Sequence, residues 1–578
     1  MRSTSSPVDG FQVFAVAGTN SVSFGIEASA AARAGLLGFA VQRATLPNGK
    51  PKYLLGYKVF PSTGAKLSAT GSVSTKSQPV QSLVWDDSGC QPGKSYLYSF
   101  EPLRGTPAAL DRTAAPVTIT VTTEPLYGQS HDVFFNRGIV ASQEYALEFG
   151  NLSPDAQPTP AKKKAAYKWL ARDLLPAMIK FIRLAKKNDQ LRCAFYEFDY
   201  PEVLAEFAAA LAHGVDLKLV IDEKQNAAKD PLTENLTAIA AAGLPATAII
   251  PRTARVNAIA HNKFMVLIPH GGAPTQVWTG STNLTPGGIF GQANVGHWVR
   301  DATVANTYLD YWTLLSTNPG GLASDSSAVV RQKNAALYAA VGSMTPTPAL
   351  GSIGEGVTPL FSPRSGLDPM NLYRDLIAKA SHLSCATFPF TIAASFSAAL
   401  QQNGPTGPLV FLLLDTAAAS KIRLTAANNV YEAAGSEIGT PLGRWSKETD
   451  SGHLGLNEHV DFIHCKFLLH DPLGPDPVVV TGSANFSDAS TNDNDENMII
   501  VRGDTRVADI YFTEFNRLFN HYYFRYVSEL TAGEPTPNGS LALEETDAWL
   551  GGYATATQLR SKRVQQFIDM WIPTTNAP

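Results

Sequence analysis

The stretch FIHCKFLLHDPLGPDPVVVTGSANFSDASTNDNDENMIIVR, residues 462–502, reads as three short apolar strands, 462–469, 478–482 and 497–501. A Pro/Gly turn and a polar loop separate them. His464, Lys466, Asp471, Ser483, Asn485 and Glu496 stand at the strand starts and ends. In an extended strand residues i and i+2 share a face, so the spacing predicts the His464 imidazole and the Lys466 ammonium side by side. Asn485, just after the Gly482-Ser483 pair, brings an amide donor to the same edge. By the same alternation Cys465 points away and reads as packing.

The chain carries this pattern twice. Residues 260–300, AHNKFMVLIPHGGAPTQVWTGSTNLTPGGIFGQANVGHWVR, place His261, Lys263, Gly280, Ser281 and Asn283 in the same order. The offsets agree: 464 − 261 = 203, 466 − 263 = 203 and 485 − 283 = 202. Two copies at one spacing argue against coincidence. A nucleophile or proton carrier beside fixed cationic and amide donors suits an anionic centre such as a phosphodiester.

H-x-K-x4-D followed by G-S-x-x-N resembles the signature of the phospholipase D superfamily. His464, Lys466, Asp471, Gly482, Ser483 and Asn485 match it, with a longer hairpin before the glycine. The first copy departs from it, because Ile268 stands where the aspartate belongs. In the family that aspartate is mainly a local structural group, and the similar tyrosyl-DNA phosphodiesterases do without it. The resemblance covers about residues 126–530. It implies that His261 is the nucleophile and His464 the general acid of a covalent phosphohistidine route. Lys263, Lys466, Asn283 and Asn485 would hold the non-bridging oxygens, supported by Ser281 and Ser483. Glu496 lies 496 − 485 = 11 residues beyond Asn485, like the glutamate that orients a histidine in small bacterial endonucleases of this superfamily. The first copy has no acid there, and Gln292 or Asn294 is the candidate for orienting His261. Tyrosyl-DNA phosphodiesterases show a similar glutamine/glutamate asymmetry. His270, His297, His453, His459 and His470 have no repeated partner and read as structural or loop residues.

Composition narrows the alternatives. At 578 residues, 44% hydrophobic and 17% charged, the chain is too long for one ordinary core. Its formal charge of −4 supplies no global basic field for holding long nucleic acid. No run of 18 or more apolar residues appears, and the N-terminus lacks the apolar region of a signal peptide. The expectation is a soluble protein, cytoplasmic, or secreted if a leader has been removed. The four cysteines, Cys90, Cys193, Cys385 and Cys465, show neither C-x-x-C nor disulfide spacing. Cys193 and Cys385 read as matching strand-core positions of two repeats, 385 − 193 = 192. No further Asp, Glu or His cluster shows metal-ligand spacing, so neither a metal nor another cofactor is expected.

The expected fold class is α/β: tandem pseudo-twofold phospholipase D-like lobes preceded by an all-β sandwich. Residues 1–125 form the sandwich, with candidate strands 11–16, 21–27, 37–44, 53–59, 81–85, 95–101 and 117–122. Trp85, Tyr96 and Tyr98 are its inward aromatics, and PGKSYLYSFEPL with VTITVTTEP is similar to the closing strands of fibronectin type III modules. Lobe one spans 126–350, lobe two 351–530, and 531–578 hold a linker and an amphipathic helix at 556–571.

In lobe one, 130–139 reads as an entry strand and 161–187 as one long basic helix kinked at Pro176. Trp169, Leu170, Leu174, Met178 and Ile182 are its core face. Its lysines, among them Lys162, Lys163 and Lys164, read as a solvated face or as contacts to nucleic acid. Strands 191–198, 217–222 and 246–250 alternate with helices 201–213 and 232–242; strand 295–300 and helix 302–315 close the lobe. Lobe two retraces this with helix 368–381, strand 383–390, helix 392–402, strand 409–415 and helix 504–521. Between 416 and 460 it adds a polar loop carrying Arg444, Trp445, Lys447 and His453, a candidate for substrate choice. The lobes should face each other across a pseudo-twofold axis, so that a monomer makes its own dimer without an obligate protein partner. The substrate is then a phosphodiester, a phospholipid favoured over a nucleic acid, with contact to a membrane surface. Hydrolysis and transfer stay open, and a non-catalytic phosphate-binding protein would require damaged motifs.

Overall fold

The computed structural model describes all residues except 69–71, 139–144, 146–147, 151, 225–231, 391, 417–427, 436–461, 531–541 and 574–578; for 524–530 it describes the backbone only. Arg444, Trp445, Lys447, His453 and His459 therefore lie outside the described residues.

Alternation of apolar and polar residues builds the N-terminal part as two antiparallel sheets. One orders Arg2–Thr4, Phe11–Ala17, Val22–Ala28 and Val84–Asp87; the other orders Ala109–Asp111, Ser95–Thr106, Gly38–Thr45 and Lys52–Tyr53, with Val117–Thr122 also on Ser95–Thr106. Phe24 of the first sheet meets Tyr98 and Phe100 of the second at 4.8 and 5.2 Å between ring centroids, which closes the sandwich. Trp85 stacks on Phe24 at 5.9 Å. The expected strand 53–59 is instead two short pieces, Lys52–Tyr53 and Leu55–Gly56. The C-terminal helix, Leu559–Ile568, folds back on this sandwich, and Trp549, Leu550, Tyr553 and Val564 share its core. Arg2 ties the sandwich to the rest: its guanidinium donates to Asp509 Oδ1 at 2.8 Å and to the carbonyls of Pro472 and Leu473 at 2.8 Å each.

Two seven-stranded sheets follow, with one strand order. The first runs His131–Phe135, Val295–Val299, Gln276–Gly280, Lys263–Ile268, Gln190–Phe195, Asp216–Asp222 and Ile249–Arg252. The second runs Gly356–Ser362, Glu496–Arg502, Val478–Gly482, Phe467–His470, Leu383–Phe388, Leu409–Leu414 and Val430–Ala434. In each, the last three strands are parallel and the others antiparallel. Helix Ala302–Ser316 packs on its own sheet and on Gly356–Ser362 of the second, where Tyr311 stacks on Phe361 at 4.2 Å. Helix Thr505–Leu530 likewise touches both sheets. The lobes are therefore sealed by a shared apolar core rather than by surface contact alone. No helix among the described residues is long and apolar enough to cross a membrane.

Several expectations are corrected. The basic helix is two helices, Pro160–Ala171 and Leu174–Ile182, and the break falls at Arg172, in a positive-φ conformation (48°). Arg172 leaves the helix to donate to Phe135 O and Glu514. Pro176 lies in the first turn of the second helix, where a missing N–H costs nothing. The strand expected at 462–469 begins only at Phe467, and that at 246–250 is a 3-10 turn leading into Ile249–Arg252. Strands Gly356–Ser362 and Val430–Ala434 and helix Ser327–Met344 were not expected. Finally, Cys193 and Cys385 are not equivalent. Cys193 pairs with Met265, whereas Ala386, not Cys385, pairs with the matching Leu468. The one-residue difference turns the two thiols to opposite sheet faces and different cores. Both are nonetheless fully buried.

The signature aspartate holds a turn. Asp471, at φ 44°, accepts from the N–H groups of Ser381, His382 and Leu383 at 2.7, 2.7 and 3.0 Å, closing the helix-to-strand corner beneath lobe two. In lobe one, where Ile268 replaces it, Asp189 caps from the other side, accepting from His270 N at 2.8 Å and Lys186 N at 2.8 Å. Asp471→Ala should lower the unfolding free energy by about 2 kcal/mol, read from urea denaturation. A change under about 0.5 kcal/mol would mean the corner needs no carboxylate.

Candidate active site

Both histidines sit just before a central strand, outside its ladder. Each lysine then donates to the carbonyl two residues back: Lys263 Nζ to His261 O at 2.9 Å and Lys466 Nζ to His464 O at 2.8 Å. The residues just ahead of them are pinned by carboxylates at the ends of strands two over in each sheet. Asp222 Oδ2 accepts from Ala260 N at 2.6 Å, and Asp415 Oδ1 accepts from Phe462 N and Ile463 N at 2.7 and 2.8 Å. Sequence reasoning overlooked this pair, although the repeat (415 − 222 = 193) was there to find.

The glycine of each G-S pair allows the next strand to pass. Gly280 and Gly482 have φ of 140° and 156°, and a Cβ on either would stand 2.2 Å from the carbonyl of Val295 or Asn497. That close approach places Ser281 beside Asn294 and Ser483 beside Glu496.

The orienting groups act across the lobes. His261 Nδ1 is 2.9 Å from both carboxylate oxygens of Glu496, and His464 Nδ1 is 2.9 Å from Asn294 Oδ1. This corrects the expectation that Gln292 or Asn294 would orient His261: Glu496 holds its Nδ1, and Asn294 serves the other lobe's histidine. The lobes are stitched together by backbone at the same place. Ala293 N donates to Phe462 O at 2.8 Å, His464 N to Ala293 O at 3.1 Å, and Asp495 N to Ile259 O at 3.0 Å.

These contacts fix the tautomers. Asn294 Nδ2 donates to Gly288 O at 2.8 Å, so its Oδ1 is the end that accepts from Ser281 Oγ at 2.7 Å and from His464. His464 Nδ1 must then carry the hydrogen. Glu496 likewise accepts from Ser483 Oγ at 2.6 Å and from His261 Nδ1. His464, and His261 while Glu496 is ionised, therefore keep the lone pair on Nε2.

Burial governs the charges. Desolvation, aided by Lys263 and Lys466, holds His261 and His464 well below the usual imidazole range, so both are neutral at pH 7. Desolvation also lowers Lys263 to about 8 and pulls Lys466 well down, with Glu496 and Glu197 opposing the shift in both. Burial raises Glu496 to about 7. Cys465, buried in the core, is pushed by desolvation to about 12 and stands apart as an inert thiol.

Asn283 and Asn485 follow the two G-S pairs, and both Oδ1 atoms are buried with no hydrogen-bond partner. Asn283 Nδ2 donates to Glu197, which the sequence reading did not single out. Tyr196, also unforeseen, lies edge-on to His261 at 5.3 Å. Neither recurs in the second repeat, so no spacing pointed to them. His297 is packed between His131 (2.9 Å) and Tyr511 (3.1 Å), and His470 Nδ1 meets the Leu376 carbonyl at 2.7 Å; both are structural. Lys162, Lys163 and Lys164 are exposed, and Lys163 pairs with Asp155 at 2.5 Å.

Residues 178–313 and 374–519, one stretch in each lobe, match the family described as cardiolipin synthase, PLD-like domain. No curated protein matches the sequence. Among solved structures, polyphosphate kinase from Porphyromonas gingivalis aligns at 9% identity and TM-score 0.37, covering 58% of this chain; this chain spans only 46% of that one. Phosphatidylserine synthase from Haemophilus influenzae aligns at 14% identity and TM-score 0.39, over 63% of this chain and 91% of that one. Nuc, a phospholipase D family member from Salmonella typhimurium, aligns at 25% identity and TM-score 0.21, over 25% of this chain and 87% of that one. With both H-x-K pairs present and one family match in each lobe, the chain belongs to the phospholipase D superfamily, among its phosphodiesterase-type enzymes.

Proposed function

We propose that the chain cleaves a phosphodiester, without a metal, through a covalent phosphohistidine. The observation that carries this reading is the pair of neutral histidines, each held at Nδ1 by the opposite lobe, beside two buried lysines. His261 Nε2 attacks phosphorus as Lys263, Lys466, Asn283 and Asn485 hold the non-bridging oxygens. The bond from phosphorus to the leaving oxygen breaks, and His464 gives that oxygen its proton. The charge of the bound diester offsets the lysines and lets His464 carry that proton on Nε2. His464 then takes a proton from water, or from an acceptor alcohol, whose oxygen displaces His261 from phosphorus.

The Glu496 carboxylate stabilises the positive ring that forms on His261, whereas neutral Asn294 leaves His464 free to exchange its proton. This asymmetry supports His261 as nucleophile and His464 as acid and base. A phospholipid is the favoured substrate. The cardiolipin synthase family match and the formal charge of −4 support it, and the basic helix 160–171 supplies no buried phosphate-binding lysine.

Hydrolysis of bis-p-nitrophenyl phosphate should survive EDTA. Loss of activity that a divalent ion restores would remove the lysine-based mechanism. His261→Ala should abolish turnover and covalent labelling, and His464→Asn should lower turnover by about 10²–10⁴-fold and accumulate phosphate on His261. Label on His464 would exchange the two roles. Phosphatidylcholine in vesicles should be cleaved faster than the dispersed lipid, and single-stranded DNA slowly or not at all; fast, steeply salt-dependent DNA cleavage would mark a nuclease.

Glu496 also gives a pH signature. Its folded pKa of about 7 exceeds the ordinary 4.5, so it binds a proton more tightly in the fold. The Glu496 contribution to stability is then greatest below about 4.5 and is lost as pH rises through 7. Glu496→Gln should raise Tm at pH 8 and leave it unchanged at pH 4, while lowering activity. A lower Tm at pH 8 would show that the carboxylate is stabilising.

A further inference from the structure

We propose that Glu197 sets the charge the site accepts, admitting the monoanion of a phosphodiester and disfavouring the dianion of a phosphomonoester. The inference rests on the phosphate position assigned above and concerns what that position will hold.

Glu197 lies two residues past the end of strand Gln190–Phe195 and is fixed by backbone. Its carbonyl accepts from Leu284 N at 3.1 Å, and Phe198 forms a bridge with Leu284, in the segment that carries Asn283. Its side chain accepts from Asn283 Nδ2, so the carboxylate touches a group assigned to the phosphate oxygens. Asn283 is only 6% exposed, which limits screening by water. The charge also reaches Lys263 and Lys466, where it favours the protonated amines.

The second lobe shows that this carboxylate is an addition. Cys193 faces Met265 across the ladder as Ala386 faces Leu468, so position 197 corresponds to 390. Phe390 stands there, 47% exposed. His, Lys, Ser and Asn recur in both lobes; an acid after the strand does not. Binding a phosphate therefore does not require it.

Charge balance suggests its use. With both histidines neutral, Lys263 and Lys466 face Glu496 and Glu197. A diester brings one negative charge. A monoester gains a second above its pKa of about 6, and that charge would lie against the Glu197 carboxylate. Hydrolysis of a diester makes such a monoester, so Glu197 would weaken the grip on the product while sparing the substrate.

Binding of phenyl phosphate to the full chain, followed by calorimetry at pH 8 and at pH 5, tests this. Glu197→Gln keeps an oxygen for Asn283 and removes the charge; Glu197→Asp keeps the charge. The glutamine variant should bind phenyl phosphate about tenfold tighter than the parent at pH 8, with little gain at pH 5, where the ligand is a monoanion. Glu197→Asp should resemble the parent at both. Unchanged affinity at pH 8, or an equal gain at pH 5, would overturn the proposal. Because binding is read without turnover, the two readings fail separately. An inactive protein that shows the difference would refute the proposed reaction alone, and an active one without it would refute the role of Glu197 alone.

Discussion

The two Nδ1 contacts that cross between lobes, His261 to Glu496 and His464 to Asn294, are the constraint on which the site depends. Neither lobe orients its own histidine. Each supplies a strand end with an imidazole and a lysine, and each supplies, two strands over in its sheet, the oxygen that the other's imidazole needs. The backbone links at Ala293, Phe462, Asp495 and Ile259 hold that exchange in register. Sliding one lobe past the other would disconnect both rings together. The extensive shared core, with Tyr311 stacked on Phe361, therefore serves the chemistry as well as stability.

Placing this much polarity inside a core is unfavourable unless each group is paired. The lysines are satisfied by carbonyls of their own motif, the serines bond the orienting residues, and Asp222 and Asp415 hold the approaching loops. The side-chain carbonyl oxygens of Asn283 and Asn485 lie buried without a hydrogen-bond partner, as does Ser21 Oγ far from them. The depressed histidines and lysines and the elevated Glu496 have the same origin, desolvation within a fold that keeps them close.

The sequence disclosed the elements that repeat and hid those that do not. His261/His464, Lys263/Lys466 and Asn283/Asn485 stood out through a shared spacing, and the alternating helices and strands showed the α/β class. The partner of each histidine could not be read in this way, because the exchange between lobes is a property of packing. Glu197 and Tyr196 occur once, and so left no spacing to detect. Register proved the finest limit: Cys193 and Cys385 match in a sequence comparison, yet hydrogen bonding shifts them by one residue onto opposite faces. The break at Arg172 was masked for a similar reason, since the ion pair with Glu514 that draws the chain out of the helix is made 342 residues away.

The crossed wiring is most directly tested by the ring-nitrogen resonances of His261 and His464 in selectively ¹⁵N-labelled protein near pH 7. Both rings should show a protonated Nδ1 and an unprotonated Nε2. Glu496→Gln should move the His261 signals and leave those of His464 in place, and Asn294→Ala should do the reverse. A His464 response to Glu496→Gln, with His261 unmoved, would contradict the exchange between lobes.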